Sequence, residues 1–193
     1  MNITTANPTL ERLSIEIKFA VGECIISWCQ VETSLCALFA DIIGTDSLTA
    51  IHIWDSMTSF HSKFKALNIL MENRTPKDDA VSNVWPKLAI HINKKHSKRN
   101  EVAHSGIAEV NGKTVLIPYL SVIMNEPRQQ FSAEEILKRA QSFSEVCKAV
   151  NWVILTLASQ QGKFPATQIK LPDLIDQIQK RGDQAAQDVE LSE

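Results

Sequence analysis

The stretch Trp28-Cys29-Gln30-Val31-Glu32-Thr33-Ser34-Leu35-Cys36-Ala37-Leu38 decides the fold class. Its bulky apolar side chains stand at 28, 31, 35 and 38. Steps of three and four line one face of a helix and do not fit the strict alternation of a half-buried strand. The same step runs outward through Leu10, Leu13, Ile17, Val21 and Cys24 on one side and Ile42 on the other. Asn7-Pro8 reads as the start, because Asn can cap free N–H groups and Pro has no donor to lose. Gly44 supplies the stop. A helix of this length covers about 50 Å at 1.5 Å per residue, so a bend is expected at Gly22. Glu32 sits one residue off the buried stripe.

Beyond Gly44 the helical period continues. Asp46 or Ser47 caps a second helix whose stripe is Ile51, Trp54, Met57, Phe60, Phe64, Leu67 and Met71. His61 and Lys65 lie beside that stripe at i, i+4, and Asn73-Arg74-Thr75-Pro76 breaks it. Asp78 or Asp79 opens a third helix, with a kink or a fresh start expected at Trp85-Pro86. There Leu88, Ile92, Lys95, Arg99 and Val102 follow at three or four, so the stripe turns from apolar to basic before Ser105-Gly106 ends it.

Val110-Asn111-Gly112-Lys113 is a hairpin signal, since Asn-Gly tolerates the positive φ values of a type I′ turn. Residues 107–110 and 114–117 should pair, and Pro118 should end the hairpin. Phe131-Ser132-Ala133-Glu134-Glu135-Ile136 then combines a capping box (Ser132, Glu135) with a hydrophobic staple (Phe131, Ile136). The helix it opens carries Ile136, Ala140, Phe143, Cys147, Val150, Ile154 and Leu157 and stops by Gly162. The reading is all-α: a bundle of about four long helices with a small β-hairpin, 107–118, inserted before the last helix. The helical domain is expected over 1–162. A polar tail, 163–193, follows, with a short helix at 173–181 and disorder from Gly182.

With 193 residues, 44% of them hydrophobic, the chain can bury a sizeable core. A net charge of -2 argues against a broad polyanion surface or a reader of DNA grooves. The charge is unevenly spread, however. Residues 87–104 hold five Lys or Arg and one acid, a local +4 against -6 for the rest. A basic ridge on an acidic protein suits one anionic ligand in one place. Cys24, Cys29, Cys36 and Cys147 form no metal or disulfide spacing and read as thiols of a reducing compartment. No metal or other cofactor is indicated by these spacings. The first ten residues lack a signal-peptide core, and no apolar run approaches the roughly 18 residues that span a bilayer. A cytoplasmic protein with no membrane element is expected.

The ridge ends in Arg99-Asn100-Glu101-Val102-Ala103-His104-Ser105-Gly106. On a helix Asn100 and His104 share a face, whereas Arg99 and His104, five apart, stand about 140° around the axis. The long Arg99 stem can bridge that offset. A His titrating near neutrality can move a proton. An always-charged planar Arg can bind phosphate and steady a developing negative charge, and Asn can orient either group. Together they suit attack of a ribose 2′-hydroxyl on its own phosphate, with Lys94, Lys95 and Lys98 holding flanking phosphates. A structural reading stands beside it: Arg99 pairs with a buried acid such as Glu32, and His104 caps nearby carbonyls.

The Arg-Asn-x3-His run closing a helix, the Trp28-x2-Val31-Glu32 step on a long first helix, and the hairpin before a final helix resemble the HEPN superfamily over roughly residues 10 to 160. The resemblance implies an all-α bundle that pairs as a homodimer and brings two motifs together. It implies a metal-independent endoribonuclease of toxin–antitoxin, phage-defence or RNA-processing type, with Arg99, Asn100 and His104 as catalytic residues. Glu32 and Lys65 would be supporting residues, and RNA, an antitoxin or another protein would be the partners. Members that have lost activity and only bind a nucleotide or a protein are the alternative.

Overall fold

The computed structural model describes residues 8–74, 79–118, 130–163, 165, 170–178 and 180. Among the described residues the protein is mostly helical, with one two-stranded antiparallel hairpin before the last long helix. The elements are α1 (Pro8–Ile43), α2 (Ser47–Ser56), α3 (Phe60–Arg74), α4 (Ala80–Ala103), β1 (Ser105–Val110), β2 (Lys113–Pro118) and α5 (Ala133–Gln160). Residues 173–178 are also helical. The chain divides into two compact units: Met1–Cys29 with Lys94–Phe143, and Gln30–Asn93 with Ser144–Glu193.

Helix α1 runs through Gly22 as one element and ends at Gly44, whose φ of +70° is the left-handed turn a glycine accepts without strain. The Asn7 cap lies outside the described residues. Its Arg12–Ile43 stretch contains a window of mean hydropathy 1.3, so by length and composition it could cross a membrane. This corrects the expectation that no apolar run reaches that length. Ile17, Ala20, Cys24, Trp28, Val31 and Leu35 on its core-facing stripe are all buried within the fold.

The single helix expected over residues 47–71 is two helices. Met57 leaves the helical region at φ −83° and ψ 118°, and the Ser59 hydroxyl accepts from Ser62 N–H at 3.1 Å to start α3. Ser56-Met57-Thr58-Ser59 contains neither Gly nor Pro, and the apolar period continues across it. Local serine capping outweighs that periodicity. Helix α4 differs in the opposite sense. Pro86 lies inside it rather than starting a new helix. Asp79 and Ser82 exchange reciprocal bonds at its start, 2.7 Å to Asp79 Oδ1 and 3.1 Å to Ser82 Oγ. Pro86 is the seventh residue of α4, past the free N–H groups of the first turn, so the helix runs through it with the Ser82 carbonyl lacking its helical donor.

The second unit packs Phe39 against Trp54 at 5.4 Å and Phe64 against Trp85 at 6.2 Å between ring centroids. Trp85 Nε1–H donates to Asn68 Oδ1 at 3.0 Å, so this buried indole keeps its hydrogen bond.

In the first unit the hairpin pairs Ser105 with Pro118 through Val110 with Lys113. Asn111 and Gly112 take φ of 52° and 71°, the geometry of a type I′ turn. Val115, Leu116 and Ile117 are consecutively buried. Leu116 also exchanges two 2.9 Å backbone bonds with Phe131, which gives the two-stranded unit a third partner. A lone hairpin is marginal in water, and these contacts are what it needs. Immediately after Phe131 the capping box forms: Glu135 Oε2 accepts from Ser132 N–H at 2.8 Å, and Ser132 Oγ from Glu135 N–H at 3.2 Å. Phe131 and Ile136, the staple, are both buried.

Candidate functional site

The basic end of α4, the start of α5 and the first 29 residues belong to the same unit. Its centre is the Trp28 indole ring, fully buried and set edge-on to Phe143 at 5.3 Å. The His96 imidazole lies tilted against the same indole at 5.6 Å. His96 thereby ties the aromatic core to the polar turn that follows.

On that turn Arg99 Nη1 donates to Asn100 Oδ1 at 3.0 Å, and Asn100 Nδ2 meets His96 Nε2 at 3.3 Å. The Asn100 side chain therefore joins Arg99 and His96, a histidine the sequence reading passed over. Its signal was available: His96 precedes Asn100 by four, the same spacing that drew attention to His104. The Arg99 Nε–H is buried and has no acceptor among the described residues. A buried donor without a partner is costly, so an acceptor that reached it would be bound favourably.

His104 is exposed and stands just beyond the last residue of α4, its N–H bonded to the Asn100 carbonyl at 3.0 Å. Next to it the Ser105 hydroxyl donates to the Glu101 carbonyl and satisfies another end-of-helix oxygen.

The three lysines of the ridge separate. Lys94 and Lys98 are exposed and share a face, with Lys98 paired to Glu101 at 2.8 Å. Lys95 is half-buried, and its pKa is lowered first by burial and then by the Arg139 guanidinium. Glu32, half-buried, and Lys65, exposed, belong to the other unit.

Arg139, on α5, is the second residue that sequence reasoning missed. Its Nη1 donates to the Lys98 carbonyl and to Glu101 Oε2, each at 3.0 Å, and its guanidinium covers the Phe131 ring at 4.0 Å. The Lys98 oxygen lies within α4, opposite the N–H of Val102, so Arg139 adds a second donor to it and ties α5 to the last turns of α4. Cys24 is buried near these cations. Burial pushes its thiol pKa up, while Arg139 and then Arg99 pull it down. Lys95 and Arg99 on α4 and Arg139 on α5 thus concentrate positive charge around the end of α4, with Glu101 offsetting part of it.

Chemically, the arrangement can bind an anion at Arg99 and offers an exposed imidazole at His104 one turn on. Among the described residues no group of three or more His, Cys, Asp or Glu could hold a metal ion. No family model matches the chain, and no curated protein or solved structure matches it.

Proposed function

We propose that this chain is a HEPN-like, metal-independent endoribonuclease of the toxin, phage-defence or RNA-processing kind, working in the cytoplasm as a homodimer. Arg99 steadies the scissile phosphate, His104 moves the proton, and Asn100 orients the Arg99 guanidinium. The observation that carries this reading is the half-buried Arg99, held through Nη1 while its Nε–H has no acceptor among the described residues. Such a guanidinium is oriented and still able to receive a phosphate oxygen. Exposed Lys94 and Lys98 supply contacts for the flanking backbone. One protomer offers a single exposed histidine on this turn, and a second copy would provide the other half of an acid–base pair.

The test is incubation of the purified protein with mixed RNA in EDTA. Cleavage that His104→Ala abolishes supports the proposal. Intact RNA at high protein excess overturns it. A second reading, a HEPN-like dimer that only binds a nucleotide or a protein partner, is favoured by one observation: the Asn100 side chain is engaged with His96 rather than His104. Under that reading RNA or nucleotide binds in the same assay and survives intact.

A further inference from the structure

We propose that His96 is a positioning residue for Arg99, acting through the Asn100 amide, and that this relay aims the guanidinium at a phosphate of RNA. The ligand named here rests on the function proposed above; the relay itself does not.

An Asn side chain has one end that accepts and one that donates. Arg99 can only donate, so its 3.0 Å bond fixes the amide oxygen toward the guanidinium. The amide nitrogen is then the atom facing His96 Nε2 at 3.3 Å. Nitrogen must donate, so Nε2 must accept, which requires a neutral imidazole with its proton on Nδ1. With the amide reversed, its NH2 would face the guanidinium and two donors would collide. The lone pair on His96 therefore supports, from the other end of the amide, the orientation that Arg99 requires.

The rest of the surroundings suit this role. Trp28, fully buried and braced by Phe143, walls the imidazole. Lys95 and Arg139 make the neighbourhood cationic, which works against holding a third cation in place. An acidic partner would hold Arg99 more strongly but would cancel its charge toward a ligand. The neutral amide holds it and leaves the charge available. The buried Nε–H is the donor left over for the phosphate.

The experiment uses the full-length, 15N-labelled protein and reads the Arg99 Nε–H resonance, assigned by its loss in Arg99→Lys. In the wild type this proton should be protected from exchange. His96→Leu, which keeps an apolar wall against Trp28 but offers no lone pair, should accelerate its exchange by about ten-fold or more. Asn100→Ala should do the same, and His96→Gln, whose amide oxygen can accept, should retain protection. Unchanged protection in a folded His96→Leu protein overturns the relay. Should His96→Leu not fold, His96→Gln and Asn100→Ala decide it. Loss of protection in the first and retention in the second would each count against it.

A second arm measures binding of a fluorescent single-stranded RNA in EDTA. His96→Leu should weaken binding by about ten-fold, and the same change made on Arg99→Ala should add nothing, since the relay acts only through that side chain. An undiminished cost in the double mutant overturns the proposal. Absence of RNA binding by the wild type would remove the RNA reading alone, and the resonance would still decide the relay.

Discussion

Arg139 reaches from α5 to the Glu101 carboxylate on α4, Nη1 to Oε2 at 3.0 Å. The same nitrogen donates to the Lys98 carbonyl, so one guanidinium ties α5 to the helix that carries the candidate site. Arg139→Ala should lower stability by about 1–3 kcal/mol in urea unfolding, because charged hydrogen bonds in a partly solvated place fall in that range. Arg139→Lys should recover little, since a point charge cannot cover Phe131 and bond both oxygens. Lys95 should also titrate closer to the ordinary lysine range in Arg139→Ala. The return should be partial, because burial is the larger cause of its lowered pKa.

Trp28 carries the largest fully buried side chain in the first unit. Trp28→Ala should cost about 3–5 kcal/mol in denaturant midpoint analysis, the usual cost of an aromatic cavity. Trp28→Phe should lose less, since an aromatic wall against His96 and Phe143 remains. Equal losses for the two would contradict the packing role.

The thiols should separate by reactivity. Cys29 is exposed, whereas Cys24 and Cys36 are buried and Cys147 is half-buried. Mass spectrometry after brief native alkylation should find Cys29 modified first. Burial is the leading cause that raises the pKa of Cys24, Cys36 and Cys147. The unfolded chain therefore gives up these protons at lower pH than the folded one. Their contribution to stability is complete below the ordinary thiol pKa and declines as pH rises through the raised values. Melting temperature should fall on that alkaline side, and Cys→Ser variants would test which thiol is responsible.

The capping box of α5 should show the opposite sign. Hydrogen bonds from Ser132, backbone first and hydroxyl second, hold the Glu135 pKa below the ordinary carboxylate value. That contribution is present above the ordinary glutamate pKa and is lost as pH falls through the depressed one. Ser132→Ala should lower stability by about 1 kcal/mol near neutrality. The gap between wild type and variant in thermal melts should shrink in acid.

Elements governed by local chemistry were legible from the residues alone. Asn111-Gly112 needed two positive φ values, and Ser132 with Glu135 could satisfy each other within four residues, so neither depended on the rest of the molecule. The break at Met57 was less visible because the apolar period runs across it while two serines favour a cap. Pro86 misled in the other direction. From its cap at Asp79, α4 continues through the proline at the loss of one helical hydrogen bond, at the Ser82 carbonyl.

At the site, the sequence placed Arg99, Asn100 and His104 at the end of a basic helix, because helical spacing is a local property. It could not determine which histidine Asn100 would engage, since His96 and His104 are each four residues away. Packing decided it: His96 lies against Trp28 while His104 sits exposed past the end of α4. Nor could it find Arg139, which meets Glu101 across 38 positions of chain. Periodicity and capping determine helices and turns from neighbouring residues. Which polar groups meet depends on how those helices pack, and that is a property of the folded chain.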